Sequence, residues 1–266
     1  MQFLKYLIES KTGITDKKQI KYLRNKKHLT NITENIPALL KHIQFNQNYN
    51  VQLLKAELAL ALEQNWVDHF NKEDYAGNWQ SIALRSASGR ENDILAHYGV
   101  DEYQDTPLLN RLPYLKSIIE TWQCPKEAVR LLALHPGAEI KPHRDRGCNY
   151  EGGALRIHIP IQTNDQLKFT VGGEQLKLAE GSCWYIDFDQ THSIVNAGEN
   201  VRVHLVIDAL RNEWTDRLFE SYGYKFEEEN QAQALDRDTT LKMIEELERM
   251  DTSTAKELVA QLKKNL

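Results

Sequence analysis

GSCWYIDFDQTHSIVNAGENVRVHLVID, residues 181–208, reads as strand, loop, strand, turn and strand. SCWYID and VRVHLVID are short runs of apolar, aromatic and β-branched residues, and Ala197-Gly198-Glu199-Asn200 supplies the turn before the second run. Successive side chains of a strand point to opposite faces. Val201, Val203, Leu205 and Ile207 therefore share one face, with Arg202, His204 and Asp208 on the other. Leu155 to Ile161 repeats the pattern: Leu155, Ile157, Ile159 and Ile161 on one side, Arg156 and His158 on the other. Two strands thus present Arg and His together. Taken alone, such a face is explained by solvent on one side of an antiparallel sheet.

Further short runs, VRLLAL, LKFTV and EQLKL, are separated by Pro136-Gly137, Gly152-Gly153, Gly172-Gly173 and Glu180-Gly181. Many short strands with tight turns predict antiparallel β structure, and a double-sheet jelly roll manages its edges while leaving a ligand mouth. Upstream, Leu54, Leu58, Leu62 and Trp66 lie at helical spacing over Val51 to Phe70, followed by a loop and a strand through Ile82 to Ser86. A second helix is expected from about Pro107 through Leu108, Leu112, Leu115, Ile119 and Trp122, its apolar stripe covering a sheet.

The chain has three textures. Residues 1–48 are basic and helix-patterned, with Lys17, Lys18, Lys21, Arg24, Lys26 and Lys27 crowded together; residues 49–223 carry the strands; residues 224–266 read as an acidic tail with helices over Thr239–Met250 and from Thr254 to about Lys264. The fold expected is mainly β with flanking helices, a cupin-like jelly roll with helical N- and C-terminal extensions.

With 266 residues and a net charge of −5, the composition allows a buried core and gives no electrostatic reason for a nucleic-acid or anionic-membrane partner. Cys124, Cys148 and Cys183 are too few and too widely spaced for a disulfide framework or a CxxC zinc site, which points to a reducing, cytoplasmic setting. No window is long and apolar enough to cross a bilayer. A small-molecule or peptide substrate is the default, and the oligomeric state is not legible.

His143-Arg144-Asp145 places an imidazole and a carboxylate at i and i+2, on one face if extended. His192 follows the strand SCWYID and precedes the turn, in position to reach the same cavity. Two His and one carboxylate with open coordination positions suit Fe(II) that must also bind a co-substrate and O2. If Asn196 pairs with Val201 in a hairpin, Arg202 stands opposite Val195, near His192, where a guanidinium can hold a carboxylate. His204 shares the parity of Arg202 but lies farther along, so hydrogen bonding within the core is its expected role.

HPGAEIKPHRD, ALRIHIPI, HFNKEDYAGNW and the opening stretch together resemble the aspartyl/asparaginyl β-hydroxylase family, which includes bacterial proline hydroxylases; the resemblance covers roughly residues 50–218. It implies a double-stranded β-helix, Fe(II) held by His143, Asp145 and His192, 2-oxoglutarate and O2 as co-substrates, and hydroxylation of an amino acid, free or in a peptide, with release of succinate and CO2. By the same resemblance Arg202 binds the far carboxylate of 2-oxoglutarate, His158 sits near its chelating end, and Arg156 meets the substrate. Arg85, Arg130, Arg144 and Arg146 join Arg156 as candidate carboxylate anchors. Two alternatives stay open: a cupin-like metal enzyme that does not use 2-oxoglutarate, and a non-catalytic binding module on the same fold.

Overall fold

The computed structural model describes residues 40–96 and 102–226, with helical positions 241, 244, 245, 247–249, 259, 262 and 263 in the tail. In chain order the elements are β1 (His42–Asn48), α1 (Val51–Leu62), β2 (Val67–Asp68), β3 (Tyr75–Ala76), β4 (Trp79–Ser86), β5 (Gln104–Asp105), a 3-10 turn (Leu109–Arg111) and α2 (Pro113–Glu120). Then follow β6 (Lys126–Leu134), β7 (Glu139–His143), β8 (Ala154–Gln162), β9 (Leu167–Val171), β10 (Glu174–Leu176), β11 (Ser182–Ile186), β12 (His192–Asn196), β13 (Arg202–Leu210) and α3 (Glu213–Ser221).

Two antiparallel sheets form the jelly roll. The larger runs β1-β11-β8-β13-β6-β4-β2, with β5 on β4; the smaller runs β10-β9-β12-β7-β3. Trp79, Leu134, Trp184 and Ile186 from the larger sheet meet Ile140, Phe169, Val171 and Ile194 from the smaller one in a shared core. On the other side of the larger sheet, α1 packs against β8 and α2. That cover buries Ile157, Ile159 and Ile161 together with Leu54, Leu58, Leu115 and Ile119. Both faces of the central strands are therefore shielded, and the polar face of β8 and β13 looks into the sandwich rather than into water.

Three boundaries differ from the sequence reading. Residues 42–48, placed there in a helical extension spanning 1–48, form β1 and pair with β11, Ile43 opposite Tyr185 and Phe45 opposite Cys183; residues 1–39 lie outside the described residues. The first helix stops at Leu62 rather than near Phe70, because Trp66 folds back and its Nε1 donates to the Ala61 carbonyl at 2.9 Å, after which Val67 and Asp68 pair with β4. The second helix starts at Pro113, not Pro107. The chain divides into two compact units, residues 1–212 and 213–266, so residues 213–223 fall in the second. Most of the two expected tail helices lies outside the described residues. Those that are described are helical, and Lys263 Nζ meets Glu248 Oε1 at 2.8 Å. Among the described residues no helix is long and apolar enough to cross a membrane.

Leu112 offers no side-chain cap to α2. Glu57 of α1 does so instead: Oε1 accepts from the Tyr114 amide at 2.7 Å and Oε2 from the Leu115 amide at 2.8 Å. A carboxylate there satisfies two orphan donors and complements the helix dipole. Glu57→Ala is expected to lower stability by about 1–2 kcal/mol, read as a shift of the urea midpoint; an unchanged midpoint would show that the cap contributes nothing.

Candidate metal centre and its cavity

β7 and β12 are neighbours in the smaller sheet, with His143 directly opposite His192. Side chains opposite one another in an antiparallel pair share a face, and the two ring centroids lie 4.2 Å apart. Asp145, just past the end of β7, is held by its amide donating to the Phe188 carbonyl at 2.9 Å. Its neighbour Arg144 pins the same loop through Nη2 to Asp189 Oδ1 at 3.0 Å. The ligand atoms of His143, Asp145 and His192 all lie within 4.8 Å of one another, the one such group of His, Cys, Asp or Glu among the described residues.

The ring orientations fit a cation. His143 Nδ1 lies 2.7 Å from the Lys141 carbonyl and His192 Nδ1 lies 3.0 Å from that of Gln190. A carbonyl only accepts, so each Nδ1 carries a proton and each Nε2 is the atom turned to the centre, an assignment made from this network. Burial alone would raise the Asp145 pKa, but the hydrogen bond from His143 and the charge of Arg156 outweigh it and hold the carboxylate well below its usual range. Burial lowers His192 to about 4, so its ring is neutral at physiological pH, whereas the hydrogen bond to Asp145 raises His143, whose Nε2 shares a proton with that carboxylate that a metal would displace. Neutral imidazoles and an ionised carboxylate are the forms that bind metal.

The three residues line a cavity of about 270 Å³ whose wall also carries His69, Trp79, Arg130, Arg156, His158, Phe188 and Arg202. Arg202 reaches it by a route other than the expected hairpin. Arg202 is in register with Leu134 on β6, and β12 pairs with β7 and β9, so β12 and β13 belong to different sheets. The cause is Asn196. Fully buried, it donates from Nδ2 to the carbonyls of Leu134 and Asn200, each at 2.9 Å, and thereby ties the turn to β6. The connection crosses the sandwich and brings Arg202 into the cavity from the opposite sheet.

Arg202 is 1% exposed. Its Nη2 donates to His204 Nδ1 at 2.8 Å, its Cζ stands 5.7 Å from the Phe169 ring centroid, and its Nε has no partner. Among the described residues no carboxylate lies within ion-pair distance of it, and burial lowers its pKa to about 9, which leaves it charged. A buried charge without a counter-ion is costly, so this end of the cavity suits an anion. His158 stacks on Phe188 at 4.9 Å and approaches His204 Nδ1 at 3.2 Å through its own Nδ1, while its Nε2 has no partner. His204 serves Arg202 and lies outside the metal-type cluster, as expected. The solvated-face explanation fails for these strands, since His158, Arg202, His204 and Asp208 are all buried.

Of the five candidate arginine anchors, Arg130, Arg146 and Arg156 line the cavity; Arg85 pairs with Asp105 at 2.6 Å and Arg144 with Asp189. Arg156 Nε donates to Asp208 Oδ1 and Nη1 to Asp145 Oδ2, both at 2.5 Å. Sequence reasoning gives no role to His69 or to Asp208. His69 stacks on Trp79 with ring centroids 3.5 Å apart, and burial together with the charge of Arg130 lowers its pKa to about 3. Both rings belong to HFNKEDYAGNW. The signal for Asp208 is its strand parity, which sets it across from Arg156.

The profile of the family described as aspartyl/asparaginyl beta-hydroxylase matches residues 48–212, more than half of the chain, and the chain belongs to that family. A curated relative, L-proline cis-4-hydroxylase of Rhizobium meliloti (strain 1021), is 29% identical over 164 residues, 59% of this chain and 58% of that protein. The chain thus matches less than two thirds of that relative's length. Among solved structures, a 2OG-Fe(II) oxygenase family oxidoreductase from Burkholderia pseudomallei aligns at 12% identity and TM-score 0.47, over 65% of this chain and 87% of that one. A Pseudomonas putida prolyl-4-hydroxylase aligns at 12% identity and TM-score 0.41, over 65% and 93%.

Proposed function

We propose that this protein is an Fe(II)- and 2-oxoglutarate-dependent dioxygenase that hydroxylates an amino acid. The observation that carries the reading is one cavity holding both a His143–Asp145–His192 cluster with converging ligand atoms and a buried Arg202 with no counter-ion among the described residues. His143, Asp145 and His192 would hold iron from one side, leaving the cavity side for co-substrates. When bound, iron with 2-oxoglutarate and O2 supplies the oxidant that inserts oxygen into a C–H bond, the co-substrate leaving as succinate and CO2. Arg202 receives the distal carboxylate of 2-oxoglutarate and so fixes its orientation. His158, with an unpartnered Nε2 behind Phe188, stands ready to meet the chelating end. A cupin-like enzyme without 2-oxoglutarate, or a binding module, leaves the Arg202 charge unexplained.

Arg156 meets the substrate. Its Nη2 makes no hydrogen bond among the described residues, and Arg130 stands nearby on the same carboxylate, Asp208. That arrangement suits the carboxylate of a small zwitterion, so a free amino acid is the substrate class, with proline first in line because of the relative's activity. Three free thiols accord with the cytoplasm as the working compartment.

The test is turnover with Fe(II), 2-oxoglutarate and O2 over a panel of free amino acids, their amides and short peptides. Succinate release matched by a product one oxygen atom heavier, and lost on amidation of the α-carboxylate, is the expected result. Efficient hydroxylation of an internal peptide residue would overturn the free amino acid as substrate, and no substrate-dependent succinate across all classes would count against the activity.

A further inference from the structure

Asp208 touches neither the metal-type cluster nor the Arg202 end, yet it is 6% exposed and holds two guanidinium groups. Oδ1 accepts from Arg156 Nε at 2.5 Å, and Oδ2 accepts from Arg130 Nη2. Arg130 is anchored in turn through Nη1 to the Ile94 carbonyl at 3.1 Å. On its far side Arg156 donates Nη1 to Asp145 Oδ2 at 2.5 Å. The result is a continuous series, Arg130–Asp208–Arg156–Asp145, that starts in the cavity wall and ends on a candidate iron ligand.

The geometry has a definite consequence. A guanidinium is a rigid planar fork. With Nε tied to Asp208 and the group lying over Phe188, 5.2 Å from the ring centroid, the plane of Arg156 and the direction of Nη1 are set. Nη1 occupies one oxygen of Asp145. The other, Oδ1, is then the oxygen turned toward His143 Nε2, 3.4 Å away, on the side where a cation would sit. Without Asp208 the guanidinium has one anchor fewer and the carboxylate can rotate.

We infer that Asp208 is a positioning residue for the metal centre: by clamping Arg156 it fixes which oxygen of Asp145 faces the metal, and it links the substrate end of the cavity to metal affinity. This rests on the assignment of His143, Asp145 and His192 as the metal site. The link is reciprocal: an anion gathered by Arg130 and Arg156 alters the hold on Asp145, and a metal on Asp145 alters the charge those arginines present.

The experiment uses Co(II) as the probe, titrated into the metal-free full-length protein and followed by its ligand-field absorption, with thermal unfolding as the control for folding. Wild type is expected to bind saturably. Asp208→Asn keeps the size but loses the charge and one acceptor. It is expected to bind more weakly, by up to the roughly ten- to hundredfold that losing a ligand's own hydrogen-bond partner costs, since it acts on Asp145 through Arg156, and to give an altered ligand-field spectrum when saturated. Arg156→Lys keeps the charge but cannot bridge both carboxylates, and should show the same two changes; it decides the matter if Asp208→Asn does not fold. A merely structural role would lower the unfolding temperature and leave the spectrum of the folded, saturated protein unchanged. Wild-type affinity and spectrum in folded variants would overturn the inference while leaving the metal assignment intact. Absence of Co(II) binding by wild type would overturn both.

Discussion

Replacing Arg202 with methionine is expected to weaken 2-oxoglutarate binding about a hundredfold while raising the thermal stability of the ligand-free protein. The two effects share a cause. Arg202 is buried with no carboxylate within ion-pair distance among the described residues, so the ligand-free fold carries an uncompensated charge. Removing the partner of a buried, hydrogen-bonded charge costs about 2–5 kcal/mol of binding, which brackets the hundredfold figure. Replacing the charge with an apolar side chain of similar length removes a desolvation penalty from the free protein. Calorimetric titration with 2-oxoglutarate and thermal scans of the metal-free protein measure both. A dissociation constant within threefold of wild type, or a lower unfolding temperature, would argue that Arg202 is a structural cation with a different partner.

The second large effect is expected at Asp145. Asp145→Ala removes the one anionic member of the cluster and should lower iron-dependent turnover by about a thousandfold or more, since the two imidazoles left behind make a site with no compensating charge. It also frees Arg156, leaving Asp208 between two guanidinium groups with no second carboxylate in the series. The loss of stability is expected to be small by comparison, because the Asp145 side chain is 33% exposed and water screens the change. Asp145→Asn separates charge from shape: it should retain the fold and lose iron. Turnover unchanged in either variant would remove Asp145 from the metal site.

Much of this site is legible in the sequence because strands advertise their faces. Parity alone puts Arg156 and His158 on one side of Leu155–Ile161, and Arg202, His204 and Asp208 on one side of the strand that begins at Val201. β8 and β13 are indeed neighbours, with Arg156 opposite Asp208. The His-x-Asp spacing likewise requires only that the segment be extended, and His143 ends β7.

The distribution of strands between the two sheets is a different matter. A turn such as Ala197 to Asn200 serves a hairpin and a sandwich crossing equally well. Asn196 makes the choice, and its partner Leu134 lies 62 residues away. The same holds for β1: HIQFNQN carries only Ile43 and Phe45 as inward apolar residues, and its identity as an edge strand depends on β11. Pro107 and Pro113 are equally good first-turn residues, so the start of α2 is decided by a cap, Glu57, that comes from another helix. Ion pairs across strands are visible as parity but not as a connected series, and Asp208 acquires its place only when Arg130 and Arg156 converge on it.

Anaerobic addition of Fe(II) and then 2-oxoglutarate to metal-free protein, followed through the visible charge-transfer band of an iron-chelated 2-oxoacid, asks whether one cavity holds both metal and co-substrate. Expected are a band in wild type that saturates with co-substrate, no band in Asp145→Ala, and a band in Arg202→Met only at far higher 2-oxoglutarate. Iron binding without any band in wild type, or no iron binding at all, would contradict the assignment of this cavity to Fe(II) and 2-oxoglutarate.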